Sequence, residues 1–182
     1  TCTEKPMDDP FRVTLSKESY KNGVAITKNA PSREGSAFEV TYCQNTDGKT
    51  SGNPAKKWYF KTDEDGELKC SVESYCLSSI ILDNGAAVAS DALYRNEAGS
   101  VIYPLGTYTL KEVKAPTYYQ IKGTATIKGT GTSVDDPSKP LTLVIKTNPD
   151  TGNPSIYDGD KPTFGRISVT NEVGISYRED VF

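Results

Sequence analysis

The sequence predicts an all-β, sandwich-like fold, and three observations carry that prediction. Short runs alternate apolar and polar residues with the two-residue period of a strand, and clusters of Gly, Pro, Asn and Asp separate them. No stretch has the apolar spacing of a long amphipathic helix. The 182 residues include 11 Tyr and 5 Phe besides many Val and Ile, bulky side chains that suit a pleated surface. Hydrophobic residues make up only 35% of the chain, which fits a thin sheet-on-sheet core better than a deep α/β interior.

The elements follow in order. Phe11-Arg-Val-Thr-Leu-Ser-Lys17 alternates strictly and reads as the first strand. Ala37-Phe-Glu-Val-Thr-Tyr-Cys43 alternates again after the turn-rich segment 29–36. Trp58–Lys61 and Glu67–Cys70 flank Asp63-Glu-Asp-Gly66, and its Asp-Gly pair marks a hairpin. Segment 71–99 is the least regular; within it Asp83–Leu93 is Ala-rich, follows a turn and is expected as one short helix. Gly106–Val113 reads as a strand that Ala115-Pro116 ends. Further strands are expected at Gln120–Lys128, Leu141–Lys146 and Arg166–Val173. The dense Pro, Gly, Asn and Asp of Asn148–Thr163 predict an exposed loop. No internal repeat and no second core is visible, so residues 1–173 are expected as one domain and 174–182 as a linker or the start of a neighbouring module.

Charge and composition narrow the function. The net charge of -3 arises from 21 basic and 24 acidic residues mixed along the chain, without a basic run, which argues against nucleic acid and membrane surfaces as partners. No apolar stretch reaches the ~20 residues of a membrane span. The opening Thr1-Cys2-Thr3 has no initiator Met or signal-peptide pattern and reads as a piece excised from a longer mature protein. With no His, no nucleophile elbow and no phosphate-cradling Gly loop, the sequence offers nothing for turnover catalysis. It calls for no cofactor and no metal: calcium at Asp63–Asp65, Asp135-Asp136 or Asp158–Asp160 competes with the simpler reading of these residues as solvated turns. Of the four cysteines Cys2, Cys43, Cys70 and Cys76, no two form a C-x-x-C pair. Two disulfides are expected, Cys70–Cys76 as a local clip and Cys2–Cys43 as a strand tie, with buried thiols as the alternative.

Side-chain parity singles out three polar residues. Residues of equal parity share a face of a strand. Lys17 continues the row of Phe11, Val13 and Leu15; Glu112 continues Tyr108 and Leu110; Asn171 stands between Val169 and Val173 in a row that starts at Ile167. Polar residues at strand ends commonly reach back to solvent. These three, however, form a complementary set of amine, carboxyl and carboxamide. Burial disfavours both charged forms, lowering a lysine pKa and raising a glutamate pKa. A neutral Lys17 amine is then a nucleophile toward the Asn171 carboxamide, and a protonated Glu112 can polarise that group and relay the proton. The expected product is a Lys17–Asn171 isopeptide bond, with loss of ammonia.

The same residues lie in motifs that resemble a known family. Pro104-Leu-Gly-Thr-Tyr-Thr-Leu-Lys-Glu112-Val-Lys-Ala-Pro116-Thr-Tyr-Tyr119 resembles the PxGxYxxxExxAPxGY E-box of CnaB-type (SpaA-like, prealbumin-like) domains of Gram-positive adhesins and pilins. Gly35-Ser-Ala-Phe38-Glu-Val resembles their GAxFxV strand, Thr62-Asp-Glu-Asp-Gly66 their TxxxG hairpin, and Val169-Thr-Asn171 their last-strand asparagine. The motifs occur in family order and span most of the chain. The resemblance implies a reversed Ig-like β-sandwich with inserted loops, whose first-strand lysine (Lys17) bonds to a last-strand asparagine (Asn171) beside the E-box glutamate (Glu112). Three features depart from the pattern: Thr117 where a glycine usually follows the Pro, the long segment 71–99, and the four cysteines.

The implied function is a structural stalk or adhesin module, extracellular and attached to a cell wall or cell surface, crosslinking itself once rather than turning over. Its partners would be neighbouring domains of the same surface protein or pilus, and a host protein or glycan. A ligand-binding adhesin using segments 71–99 and 148–163 is the competing reading. A thioester adhesin is the third, prompted by Tyr42-Cys43-Gln44 and Tyr75-Cys76-Leu77, although adjacent Cys and Gln bridge poorly across antiparallel strands.

Overall fold

A computed structural model of the chain describes residues 6–8, 10–16, 19–50 and 52–174. Its strands are, in order, β1 (Arg12–Leu15), β2 (Ser19–Lys21), β3 (Val24–Ile26), β4 (Ala37–Cys43), β5 (Lys56–Lys61), β6 (Glu67–Lys69), β7 (Cys76–Leu77), β8 (Ser79–Ile81) and β9 (Ala87–Ala89). They continue with β10 (Gly106–Lys114), β11 (Tyr119–Gln120), β12 (Ala125–Ile127), β13 (Ser133–Val134), β14 (Leu141–Thr147), β15 (Pro154–Asp158), β16 (Lys161–Thr163), β17 (Arg166–Val169) and β18 (Glu172–Val173). The fold is all-β, as expected.

Two sheets face each other. One has the order β16-β15-β14-β10-β4-β5-β7, the other β13-β12-β17-β1-β6. Alternation along each strand decides what lies between them: Phe38, Val40 and Tyr42 of β4 and Tyr108 and Leu110 of β10 join Phe11, Val13, Leu15, Ile167 and Val169 in one buried cluster. Trp58 and Tyr103 stand edge-on at 5.8 Å within it, both wholly buried.

The first and last segments of the described fold run side by side and in parallel. β1 pairs with β17 in the register Arg12 to Arg166 through Leu15 to Val169. Both chains then leave that sheet together and pair again in a smaller one, ordered β11-β18-β2-β3, where Tyr20 stands opposite Glu172. A glycine holds the start of β17. A Cβ on Gly165, at φ 68°, would lie 1.9 Å from the Pro10 carbonyl oxygen, and the Gly165 carbonyl accepts the Arg12 amide at 3.0 Å. Gly165→Ala is expected to cost about 2 kcal/mol or more, since it combines strain with a backbone clash. A urea midpoint equal to wild type would contradict this.

Four expectations are corrected. Asp63–Gly66 forms its turn, with the Gly66 amide donating to the Asp63 carbonyl at 3.0 Å, but it is no hairpin: β5 lies in the seven-stranded sheet and β6 in the five-stranded one. The turn carries the chain from one layer to the other, because Leu68 and Phe60 must fill the core from opposite sides. Asp83–Leu93 forms no helix. Asn84 and Gly85 turn the chain instead, the Asn84 carboxamide oxygen accepting the Ala86 amide at 2.9 Å, and β8 pairs with β9. Asn148–Thr163 is not an exposed loop. Its first residues turn, as do Gly159 and Asp160, but Ile156 and Tyr157 are buried, and β15 and β16 extend the larger sheet beyond β14. Finally, segments 120–128 and 166–173 each break in two, where the chain passes from the small sheet to the five-stranded one or back.

Candidate functional site

The parity rows are buried as far as the described residues go. Phe11, Val13 and Leu15 are buried, as are Tyr108, Leu110 and Glu112, and as are Ile167, Val169, Asn171 and Val173. Glu112 is 1% exposed and Asn171 5%. The two residues are 59 apart in sequence, yet Asn171 Nδ2 donates to Glu112 Oε1 at 2.7 Å. Lys17 lies outside the described residues. The chain on each side of it is described: the Ser16 amide donates to the Val169 carbonyl at 2.6 Å, and Tyr20 pairs with Glu172. The segments before and after position 17 therefore pair with those before and after Asn171.

Local structure aims Glu112 at this point. β10 pairs with β4 as far as Lys114, but its register shifts between Glu112 and Lys114, a bulge that redirects the strand end. On the other side β14 begins at Leu141, so the Glu112 amide donates instead to the Pro137 carbonyl at 2.8 Å. Asn171 sits in the break between β17 and β18. There the Thr170 amide donates to the Thr124 carbonyl at 2.9 Å, and the Thr124 amide donates to Thr170 Oγ1 at 3.0 Å.

The electrostatics fit a proton carrier. Burial pushes the Glu112 carboxyl from 4.5 up to about 7; hydrogen bonds from Ser36 and Asn171 oppose the shift, and the nearby charge of Asp136 adds to it. Asn171 presents its nitrogen, the leaving atom of an acyl transfer, to Glu112 Oε1. Its Oδ1 is buried and accepts no hydrogen bond among the described residues. The arrangement thus places the carboxyl to deliver a proton to the departing nitrogen rather than to polarise the carbonyl oxygen. A solvent-facing cavity of about 360 Å³, lined by Gly123, Thr124, Thr170, Asn171 and Glu172 among others, adjoins the carboxamide.

The raised pKa has a consequence for stability. The native state holds a proton on Glu112 between pH 4.5 and about 7 that the unfolded chain releases, so stability falls as pH rises through this window. In Lys17→Met, which cannot crosslink, the urea midpoint is expected to drop between pH 5 and pH 8, by an equivalent of on the order of 3 kcal/mol at most. A midpoint that rises over this interval would contradict a neutral buried Glu112.

Residues the sequence reading missed complete the site. Ser36 is wholly buried; its Oγ donates to Glu112 Oε2 at 2.6 Å and lies 3.2 Å from the Lys114 carbonyl oxygen. Thr62, also wholly buried, holds Ser36 in turn, its Oγ1 accepting the Ser36 amide at 2.9 Å. A signal was there: Ser36 extends the buried row of Phe38, Val40 and Tyr42, and Thr62 extends that of Trp58 and Phe60. The glycine departure is also relocated. The left-handed conformation after Pro116 falls on Tyr118, at φ 73°, and not on Thr117.

The remaining candidates do not converge. Among the described residues no Cys70–Cys76 disulfide is formed, and Cys2, half of the expected Cys2–Cys43 tie, lies outside them. Cys70 follows β6 in one layer and is wholly buried, whereas Cys76 belongs to β7 at the edge of the other, its backbone paired with Phe60. Gln44 and Gln120 are exposed while Cys43 is buried, which leaves a Cys43–Gln44 thioester without geometry. Among the described residues no His, Cys, Asp or Glu cluster suits a metal ion. Asp63 Oδ1 instead accepts the amides of Asp65 and Glu67, and Asp136 Oδ1 accepts the Ser138 hydroxyl. No protein-family model matches the chain, and no curated protein matches it in sequence.

Proposed function

We propose that the protein is a structural module of a Gram-positive surface adhesin or pilin, locked by an autocatalytic isopeptide bond between Lys17 and Asn171. The observation that carries this reading is the buried contact between Glu112 and Asn171, placed where the first and last strands run together. In the proposed step the neutral Lys17 amine attacks Asn171 Cγ and forms the new C–N bond. Ionised Glu112 takes the proton of the attacking nitrogen on Oε1 and passes it from Oε1 to Nδ2. The Cγ–Nδ2 bond breaks, ammonia leaves, and Glu112 returns to its starting state. No group turns over, so the activity is a single self-modification.

The motif resemblance supports an extracellular, cell-wall-attached setting, with neighbouring domains of the same surface protein as partners. A tie between adjacent parallel strands at the two ends of the fold would carry load directly, without asking the sheets to hold. The test is intact mass under reducing conditions: the bond predicts a deficit of about 17 Da, one ammonia. Fragmentation should place it on a branched peptide joining the Lys17 and Asn171 segments. A full theoretical mass after reduction would overturn the reading.

A further inference from the structure

The Glu112 carboxyl must exist in two protonation states during the proposed reaction, and it is buried in both. Its two oxygens face different partners. Oε1 faces the Asn171 NH2, a group that donates and does not accept. In the resting site a proton carried by neutral Glu112 therefore belongs on Oε2, where the contact is Ser36 Oγ at 2.6 Å. A hydroxyl both donates and accepts, and the Lys114 carbonyl oxygen, 3.2 Å away, can take its hydrogen when Glu112 is protonated.

Resting on the crosslinking reading, we infer that Ser36 is a positioning residue for the reaction, a two-way partner that satisfies Glu112 in both protonation states and keeps Oε1 turned to the leaving nitrogen. With Glu112 ionised, Ser36 donates to Oε2. With Glu112 protonated, Oε2–H donates to Ser36 Oγ and the serine hydrogen turns to Lys114. No proton is gained or lost by Ser36 in the exchange. A fixed donor would satisfy only the first state and a fixed acceptor only the second; either failure leaves a buried polar group without its partner. The scaffold holds the serine for this role. Its amide donates to Thr62 Oγ1 at 2.9 Å, Thr62 Oγ1 donates to the Arg33 carbonyl at 2.8 Å, and the Thr62 amide donates to the Ser36 carbonyl at 2.8 Å.

The test compares wild type with Ser36→Ala in two measurements. The first follows ammonia loss by intact mass during timed cell-free synthesis; the variant should crosslink about tenfold more slowly, the loss of one buried hydrogen bond to a charged group. The second titrates the Glu112 carboxyl by carbon NMR in the Lys17→Met background, with and without Ser36→Ala. Loss of Ser36 should move that titration to higher pH, with Asp136 present in both chains as the neighbouring charge. Slowed crosslinking together with the moved titration supports the assignment. Slowed crosslinking with an unmoved titration reduces Ser36 to packing and overturns it, as does an unchanged rate. If wild type itself shows no ammonia loss, the crosslinking reading falls and this role falls with it, and the two failures are told apart by that control. If near-UV circular dichroism shows Ser36→Ala misfolded, Ser36→Cys, of similar shape but a weak hydrogen-bonding group, is read in both assays against the same outcomes.

Discussion

Glu112→Gln is expected to leave Lys17 and Asn171 unjoined, to restore the full theoretical mass, and to lower the melting temperature by about 10–20 °C. The size follows from the loop that the proposed bond would close. A tie from position 17 to position 171 would restrain nearly the whole chain, which by the chain-entropy argument for crosslinks would remove about 5 kcal/mol of unfolded-state freedom. Glutamine keeps the shape of the side chain but cannot carry a proton between the attacking and leaving nitrogens. The contact with Asn171 Nδ2 survives through the glutamine oxygen, so the loss is chemical rather than architectural. Differential scanning calorimetry beside intact mass checks both parts. A variant that lacks the mass deficit but melts with wild type would show that the bond is not what stabilises the fold.

Gly123→Ala is expected to impair the same bond without changing the chemistry of any reacting group. A Cβ at position 123 would lie 2.2 Å from the Thr170 carbonyl oxygen and 2.7 Å from Thr170 Oγ1, so the backbone next to Asn171 has to move. Displacing a reacting group by ~1 Å costs on the order of 100-fold in rate, and crosslinking should slow by that order. Gly52→Ala is the control, because a Cβ there meets nothing within 4 Å. Time courses of ammonia loss that coincide for the two variants would show that Asn171 does not depend on the Gly123–Thr170 contact.

Much of the site was legible in the sequence because strand parity is a local property. Alternation places Glu112 beyond Tyr108 and Leu110, and Asn171 between Val169 and Val173, whatever the sheets do, and all of these are buried. The same rule reaches Ser36 and Thr62 once their rows are extended by one step, and there the reading stopped short. The hairpin at Asp63–Gly66, by contrast, was misjudged because turn residues specify a reversal of direction and not which strand the next segment joins. Ala-rich composition at Asp83–Leu93 favoured a helix, but Asn84-Gly85 between two short apolar runs made a hairpin. Turn-forming residues concealed β15 and β16, whose place depends on a free edge of β14 to pair with.

By itself, then, the sequence determined the core strand segments, the faces they bury and the polar residues that those faces carry inward. These depend on nearest-neighbour periodicity and side-chain chemistry, which the chain carries everywhere with it. Only the tertiary structure decided that β1 and β17 lie parallel, that Asn171 turns its nitrogen rather than its oxygen to Glu112, and that Ser36 closes the other side of the carboxyl. The two side-chain contacts join residues 59 and 76 positions apart, and the strand pairing joins Arg12 to Arg166. They arise from which sheet edge each strand finds and how two layers pack, and no local pattern encodes such a choice.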